Sequence, residues 1–199
     1  MPADVLVLAT RNEGKLRELA RILGSHTKLV GLDAFPGAPD VPETGATFEA
    51  NALLKARAIA EYTKLPAVAD DSGLCVDALN GMPGVLSARW AGRHGADQAN
   101  LDLLLAQVAD VPDARLGARF VCAAALVVPG AGEWVSTGEV AGRLIREPRG
   151  SGGFGYDPIF LPDGFDLTTA EMTAEAKDAI SHRGRAFRAL APYIQGSLT

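Results

Sequence analysis

Val5-Leu6-Val7-Leu8-Ala9 is apolar without a break. An alternating run would leave one face in water, whereas an unbroken one needs cover on both faces, as in sheets flanked by helices. The chain supplies such a helix at once: Leu16, Leu19, Ala20 and Leu23 recur at helical spacing and Gly24 stops the run. A short strand is expected over 29–32, then a loop over 35–45 rich in Pro, Gly and acid. Thr47 is placed to cap a helix over 48–62. Strands are expected over 66–69 and 74–79, with a turn at 81–84. A helix from Asp97 carries Leu101, Leu104, Leu105 and Val108 on one face. Strands over 118–128 and 133–144 flank Pro129-Gly130-Ala131-Gly132, a hairpin turn. Residues 150–155 form a glycine-rich loop, and Thr168-Thr169-Ala170-Glu171 fits a capping box. The last helix starts near Ser181 and buries Phe187, Leu190, Ala191 and Ile194. Strand and helix alternate until a hairpin interrupts, which predicts an α/β fold with a mixed sheet. At 199 residues the chain suits a single domain, 1–199, with two lobes.

Composition narrows the function. A formal charge of -5 argues against binding nucleic acid along its backbone. Cys75 and Cys122 lie far apart and outside any CxxC pair, so neither a disulfide framework nor a zinc site is expected. The apolar run over 121–128 is too short to span a membrane, and the first residues lack a basic leader. A soluble cytoplasmic protein is the expectation.

The chemistry concentrates in a few places. Asp70-Asp71 ends the apolar run Pro66-Ala67-Val68-Ala69, and two carboxylates set side by side call for a cation or a proton. Asp-Ser-Gly is also good turn chemistry. Near the first strand lies Thr10-Arg11-Asn12-Glu13-Gly14-Lys15. Asn12 can cap the following helix. Lys15 sits in its first turn, at the wrong end of the helix dipole unless an anion binds there. Ser181-His182-Arg183 repeats that conflict at the last helix. Asn51 and Lys55, four apart, share one helix face, either solvated with Glu49 and Glu61 or turned to phosphate. Glu43 is an acid in a Pro/Gly loop. The loop Gly152-Gly153-Phe154-Gly155-Tyr156-Asp157-Pro158 offers close backbone approach and aromatic faces for a base, or core packing for Tyr156. Carboxylates suited to magnesium and a cationic phosphate cradle together point to phosphoryl chemistry on a nucleotide.

In combination these motifs resemble the Ham1-like inosine triphosphate pyrophosphatase family over nearly the whole chain. The likeness runs through Leu8 to Lys15, Glu43 to Ala52, Ala69 to Leu74, Gly81 to Gly84, Ser87 to Arg89, Gly152 to Phe160 and Ala179 to Gly184. It implies an elongated mixed sheet with flanking helices, two lobes around a central active-site cleft, and a homodimer. It implies magnesium-dependent hydrolysis of non-standard purine nucleoside triphosphates to monophosphate and pyrophosphate. By the same resemblance Asp71 is general base and metal ligand, and Glu43 is the other metal-associated carboxylate; Thr10, Asn12 and Lys15 match the phosphate segment, and Ser72 matches a substrate contact. In the mechanism expected from these residues Asp70 helps hold the magnesium and Lys55 joins Lys15 in neutralising the triphosphate. Phe154, Gly155, Tyr156 and Asp157, with Lys177, His182 and Arg183, match the part that holds the base.

Two positions depart from the family pattern. Pro42 stands where some relatives carry a second acid, and Arg11 where a glycine is common. A non-catalytic nucleotide sensor, and a related pyrophosphatase of different base preference, are the alternatives. The sensor leaves the crowded carboxylates without a purpose. Selectivity is expected from donors aimed at the oxygen on C6 of the base: Lys177, His182, Arg183 and the amides near Phe154.

Overall fold

The unbroken apolar run forms β1 (Val5–Leu8), where Leu6, Val7 and Leu8 lose virtually all contact with water. The computed structural model describes residues 5–11, 13–23 and 28–197, so the expectations for Asn12 and Gly24 fall outside the described residues. β1 pairs in parallel with β2 (Lys28–Val30) on one side and β3 (Ala67–Val76) on the other. Helix α1 (Glu13–Leu23) is the crossover between β1 and β2. Helix α2 (Phe48–Thr63) leads into β3, and the Thr47 hydroxyl accepts the Ala50 N–H at 3.1 Å as its cap. The remaining helices are α3 (Asp97–Gln107), α4 (Ala174–Ile180) and α5 (His182–Ser197).

β4 (Gly117–Val128) and β5 (Gly132–Leu144) are joined by a connection too short for anything but antiparallel pairing. β6 (Phe160–Pro162) runs antiparallel to β5. The order β2-β1-β3-β4-β5-β6 makes one six-stranded mixed sheet with flanking helices, as the alternation of patterns predicts.

The chain divides into two compact units. The first comprises Met1–Asp71, Cys122–Gly138 and Arg183–Thr199. Its core sets Leu6, Leu8, Val68 and every second residue of β4 (Cys122, Ala124, Leu126) against Leu19 of α1 and Phe187, Leu190 and Ile194 of α5. The second comprises Ser72–Val121 and Glu139–His182. Its core joins Leu74 and Val76 to Leu101 and Leu104 of α3, with Val140, Leu144, Ile159 and Phe160.

The structure departs from the sequence reading in four places. β3 does not stop at the Asp pair but runs through Asp70-Asp71-Ser72-Gly73 to Val76, and Asp77–Leu79 is a 3-10 turn rather than strand. Thr168 to Glu171 makes half a capping box, the Glu171 carboxylate accepting the Thr168 N–H at 2.8 Å, yet stays a turn. The helix begins later, at Ala174, capped by Thr173. Ala20 is exposed, and β6 is too short to leave a pattern in the sequence.

Candidate active site

Continuing β3 through the Asp pair has a direct consequence. Successive side chains of a strand point to opposite faces. Asp70 and Asp71, both buried, therefore meet different partners. Asp70 accepts Arg183 Nε at 3.1 Å and Lys15 Nζ at 3.2 Å. Arg183 Nη1 goes on to Glu18 Oε2 at 2.7 Å. Asp71 Oδ2 accepts Asn51 Nδ2 at 2.9 Å, and its Oδ1 lies 3.7 Å from Lys55 Nζ. The same ammonium donates to Glu43 Oε1 at 2.6 Å. Asn51 is fully buried, and its Oδ1 accepts the Gly45 N–H at 2.7 Å. One amide thus fixes both the loop that carries Glu43 and the carboxylate of Asp71. The (i, i+4) spacing of Asn51 and Lys55 on α2 brings both to Asp71.

The two carboxyls titrate in opposite directions. Burial pushes Asp70 up, but the charges of Lys15, Arg183 and Lys55 outweigh it and hold the group well below the usual carboxylate range. For Asp71 burial dominates, Glu43 and Asp70 add to it, and Lys55 and Asn51 oppose it without prevailing, so its pKa is raised. Burial pulls Lys55 down, yet Asp70, Asp71 and Glu43 raise it overall and keep it a cation. The two adjacent carboxyls thus differ in proton affinity, one held as a fixed charge and the other more readily protonated.

The second unit holds another polar cluster. The Asp157 carboxylate is buried and accepts Lys177 Nζ at 2.5 Å, Thr169 Oγ1 at 2.8 Å and the Phe154 N–H at 2.8 Å. Asp97 Oδ2 accepts the Gly155 N–H at 3.0 Å. The Phe154 ring is 56% exposed, with Lys177 Nζ 5.3 Å from its centroid. His182 stacks on Phe120 at 5.0 Å, and both line a narrow slot with Asp157, Phe160, Thr169 and Lys177. Tyr156 is buried in the core, its hydroxyl donating to the Ser87 carbonyl at 2.9 Å.

Glu43 and Asp71 are hard oxygen donors that already converge on one cation, the Lys55 ammonium. That donor set suits magnesium, which takes one or two carboxylates and completes its octahedron with phosphate and water. Among the described residues no group of three or more His, Cys, Asp or Glu side chains is arranged for a metal, so no all-protein cage is formed there. Asp70, the third carboxylate expected, is committed to Arg183 and Lys15 on the other face.

Residues 6–193 match the model of the Ham1 family. The chain belongs to that family. It is 64% identical over 193 residues to the dITP/XTP pyrophosphatase of Streptomyces coelicolor, covering 96% of each chain. A crystal structure of the nucleoside-triphosphatase, dITP/XTP pyrophosphatase, of Mycobacterium abscessus superposes with a TM-score of 0.79 at 58% identity, covering 94% of this chain and 99% of that one. The HAM1 protein of Coxiella burnetii superposes with a TM-score of 0.88 at 40% identity, covering 96% and 98%.

Against that family's expected site, Lys15, Glu43, Lys55, Asp70 and Asp71 come together in the first unit. Phe154, Gly155, Asp157 and Lys177 come together in the second. Thr10 follows the end of β1 and Ser72 lies within β3 next to Asp71, both partly buried, and Asn12 lies outside the described residues. Arg183, expected beside the base, is instead 4% exposed and turned to Asp70 and Glu18. Neither amide of the Phe154-Gly155 pair is left to read a base, since Asp157 and Asp97 take them. Arg11, at the position where a glycine is common, donates to the Ala38 carbonyl at 3.0 Å. Asn51, read as sharing a face with Lys55 that is either solvated or turned to phosphate, is instead buried and turned to Asp71 and Gly45. Glu18, Asp97 and Thr169 partner the candidate residues without having been singled out for it.

Proposed function

We propose that this chain hydrolyses non-standard purine nucleoside triphosphates (dITP, ITP and XTP) to the monophosphate and pyrophosphate, as a single 1–199 domain. The observation that carries the reading is the split between Asp70, held ionised, and Asp71, whose proton affinity is raised. The dITP/XTP pyrophosphatase activity for which the relatives are named supports the substrate class. Mg2+ fits Glu43 and Asp71, with Asp70 as a charge behind them, and when bound it neutralises phosphate oxygens and the charge that develops on the leaving group.

The residues divide the remaining tasks. Asp71 takes a proton from the water whose oxygen attacks the α-phosphorus; the bond from that phosphorus to the bridging oxygen breaks, and pyrophosphate departs. A carboxylate of raised basicity is suited to this, because proton transfer works best near the operating pH. Asn51 holds Asp71 Oδ2, which fixes the direction of Oδ1. Thr10, Asn12, Lys15, Lys55 and Ser72 bind the triphosphate. Phe154 stacks on the base. Lys177 and His182 supply donors for the C6 oxygen, and an adenine amino group there leaves them unpaired. Tyr156, Asp157 and Gly155 shape this end, and Arg183 supports Asp70. The protein is assigned to the cytoplasm as a homodimer.

Pyrophosphate release from dITP, ITP, XTP, ATP and GTP, with and without Mg2+, tests the reading. Release confined to the first three and abolished by chelation is expected. Tight binding without release overturns the activity, and equal release from ATP overturns the base assignment. Asp71→Asn with full turnover overturns the general base. Sedimentation at one-protomer mass overturns the homodimer.

A further inference from the structure

We propose that Asp97 is a positioning residue for the base end of the substrate: through the Gly155 amide it fixes the turn that presents the Phe154 ring. The role rests on the pyrophosphatase reading above, and it concerns a residue outside every motif of the expected site.

The turn needs an outside anchor. Gly153 and Gly155 both adopt the left-handed backbone, with φ +73 and +60. Glycine enters that region freely and leaves it as freely, so nothing in these two residues holds the conformation. A side chain at Gly153 would run into Asp157 Oδ2 at 2.0 Å, whereas Gly155 has nothing within 4 Å. A side chain is therefore excluded at Gly153, while at Gly155 the backbone N–H is held by its hydrogen bond to Asp97. The Asp157 carboxylate grips the Phe154 amide from three residues away and is itself held from outside the loop by Lys177 and Thr169, so Phe154 has its own anchor and Gly155 needs another. Asp97 grips the Gly155 amide from 58 residues away, on the first turn of α3.

Helix α3 is well fixed for this purpose. Leu101 and Leu104 are buried in the core of the unit. Asn100, one turn beyond Asp97, is 1% exposed; its Oδ1 accepts the Ala91 N–H at 2.7 Å and its Nδ2 donates to the Ala88 carbonyl at 3.2 Å. Ser87, whose carbonyl receives the Tyr156 hydroxyl, immediately precedes the segment so held. Gly155 is thus tied to α3 directly, and Tyr156 to the segment beside it. An aromatic platform binds a base only as well as its plane is held, since stacking depends on ring placement.

An acid in the first turn also steadies a helix through its dipole. The two roles separate cleanly. Asn keeps an acceptor oxygen and loses the charge; Glu keeps the charge and displaces the acceptor by one methylene.

The test uses the full chain with dITP as substrate. Asp97→Ala is expected to raise KM about tenfold with kcat within about twofold, the split for lost positioning remote from the reacting phosphorus. Asp97→Asn is expected within about twofold of the unmodified chain in both constants, and Asp97→Glu to raise KM as Ala does. Amide hydrogen exchange at Gly155 is expected to quicken in the Ala and Glu variants and to stay slow in Asn. An unchanged KM in Ala and Glu, or an Asn variant as impaired as Ala, overturns the role while leaving the activity standing. If Asp97→Ala fails to fold, the Asn and Glu pair decides alone. An unmodified chain inactive on dITP overturns the substrate assignment and this role with it.

Discussion

Asp70 and Asp71 are neighbours on β3 that stand on opposite faces, Asp70 accepting Arg183 at 3.1 Å and Asp71 accepting Asn51 at 2.9 Å. The strand resolves a conflict that the sequence poses. Two adjacent carboxylates in a turn would crowd each other, but in a pleated strand each meets its own partners. One face supplies two cations and the other an amide and a shared ammonium, so the pair acquires two chemistries from one residue type.

Arg183 is the partner that makes a buried Asp70 tolerable. Both side chains are 4% exposed. Breaking such a pair costs about 3–5 kcal/mol, and because Lys15 still faces Asp70 the low end of that range applies. Arg183→Met is expected to lose that much stability in urea unfolding. The double variant Arg183→Met/Asp70→Asn is expected to recover part of it, because the charge left with one partner fewer is gone.

The same pair sets an acid limit. The folded pKa of Asp70 lies below its unfolded value, about 3.9 for an aspartate. The folded state therefore holds this proton less tightly, and the stabilisation is fully present above that unfolded pKa and lost as the pH falls below it. Unfolding of metal-free protein followed downward from about pH 5 should show a steep loss of stability, and a shallower one in Asp70→Asn.

Asn51 bridges the Gly45 amide and the Asp71 carboxylate without any contact with water. Asn51→Leu removes the Gly45 amide's acceptor and one of the donors to Asp71, at about 1–3 kcal/mol for a buried group that loses its partner. Asn51→Asp is isosteric but sets a carboxylate against Asp71, raising its pKa further. Urea unfolding and the pH dependence of pyrophosphate release should separate the two: the first variant loses stability, the second shifts the acid limb of the rate upward.

These cases show where the sequence was legible. Periodicity found β1, α2 and the β4–β5 hairpin because each buries a continuous face. It misread Asp70-Asp71 as a strand end because a burial pattern assumes that charges are exposed. The partners that make the pair buriable come from α1, α2 and α5, up to 113 residues away. The contacts of Arg183 with Asp70 and Glu18 were illegible for a related reason: a motif gives a residue's neighbours along the chain, not the direction of its side chain. Asp97 and Thr169 were legible only as a helix start and part of a capping box, since the long-range partner of a single hydrogen-bonding side chain has no period.

Lys55 is the cation on which Glu43 and Asp71 converge, at 2.6 and 3.7 Å. Lys55→Met removes the charge and keeps most of the stem. Without it, two carboxylates face each other across the space the ammonium held. Pyrophosphate release is expected to fall by about 10²–10³ in kcat/KM, the scale for losing one preorganised electrostatic partner. Lys55→Arg should not restore it, because the guanidinium is planar and larger than the point charge it replaces.

Phe154 and Tyr156 lie two residues apart and should respond in opposite ways. Phe154 is 56% exposed and contributes little to the core. Its loss to alanine should change stability by no more than about 0.5 kcal/mol. Base stacking on an aromatic is worth about 1–3 kcal/mol, so KM for dITP should rise by about five- to 150-fold. Tyr156 is buried among core residues and donates to the Ser87 carbonyl. Tyr156→Phe keeps the ring and orphans that carbonyl, for about 1–3 kcal/mol of stability and no change in KM. A KM effect at Tyr156 with none at Phe154 would reverse the two assignments, placing the base against the inner ring and leaving the exposed one without a substrate role.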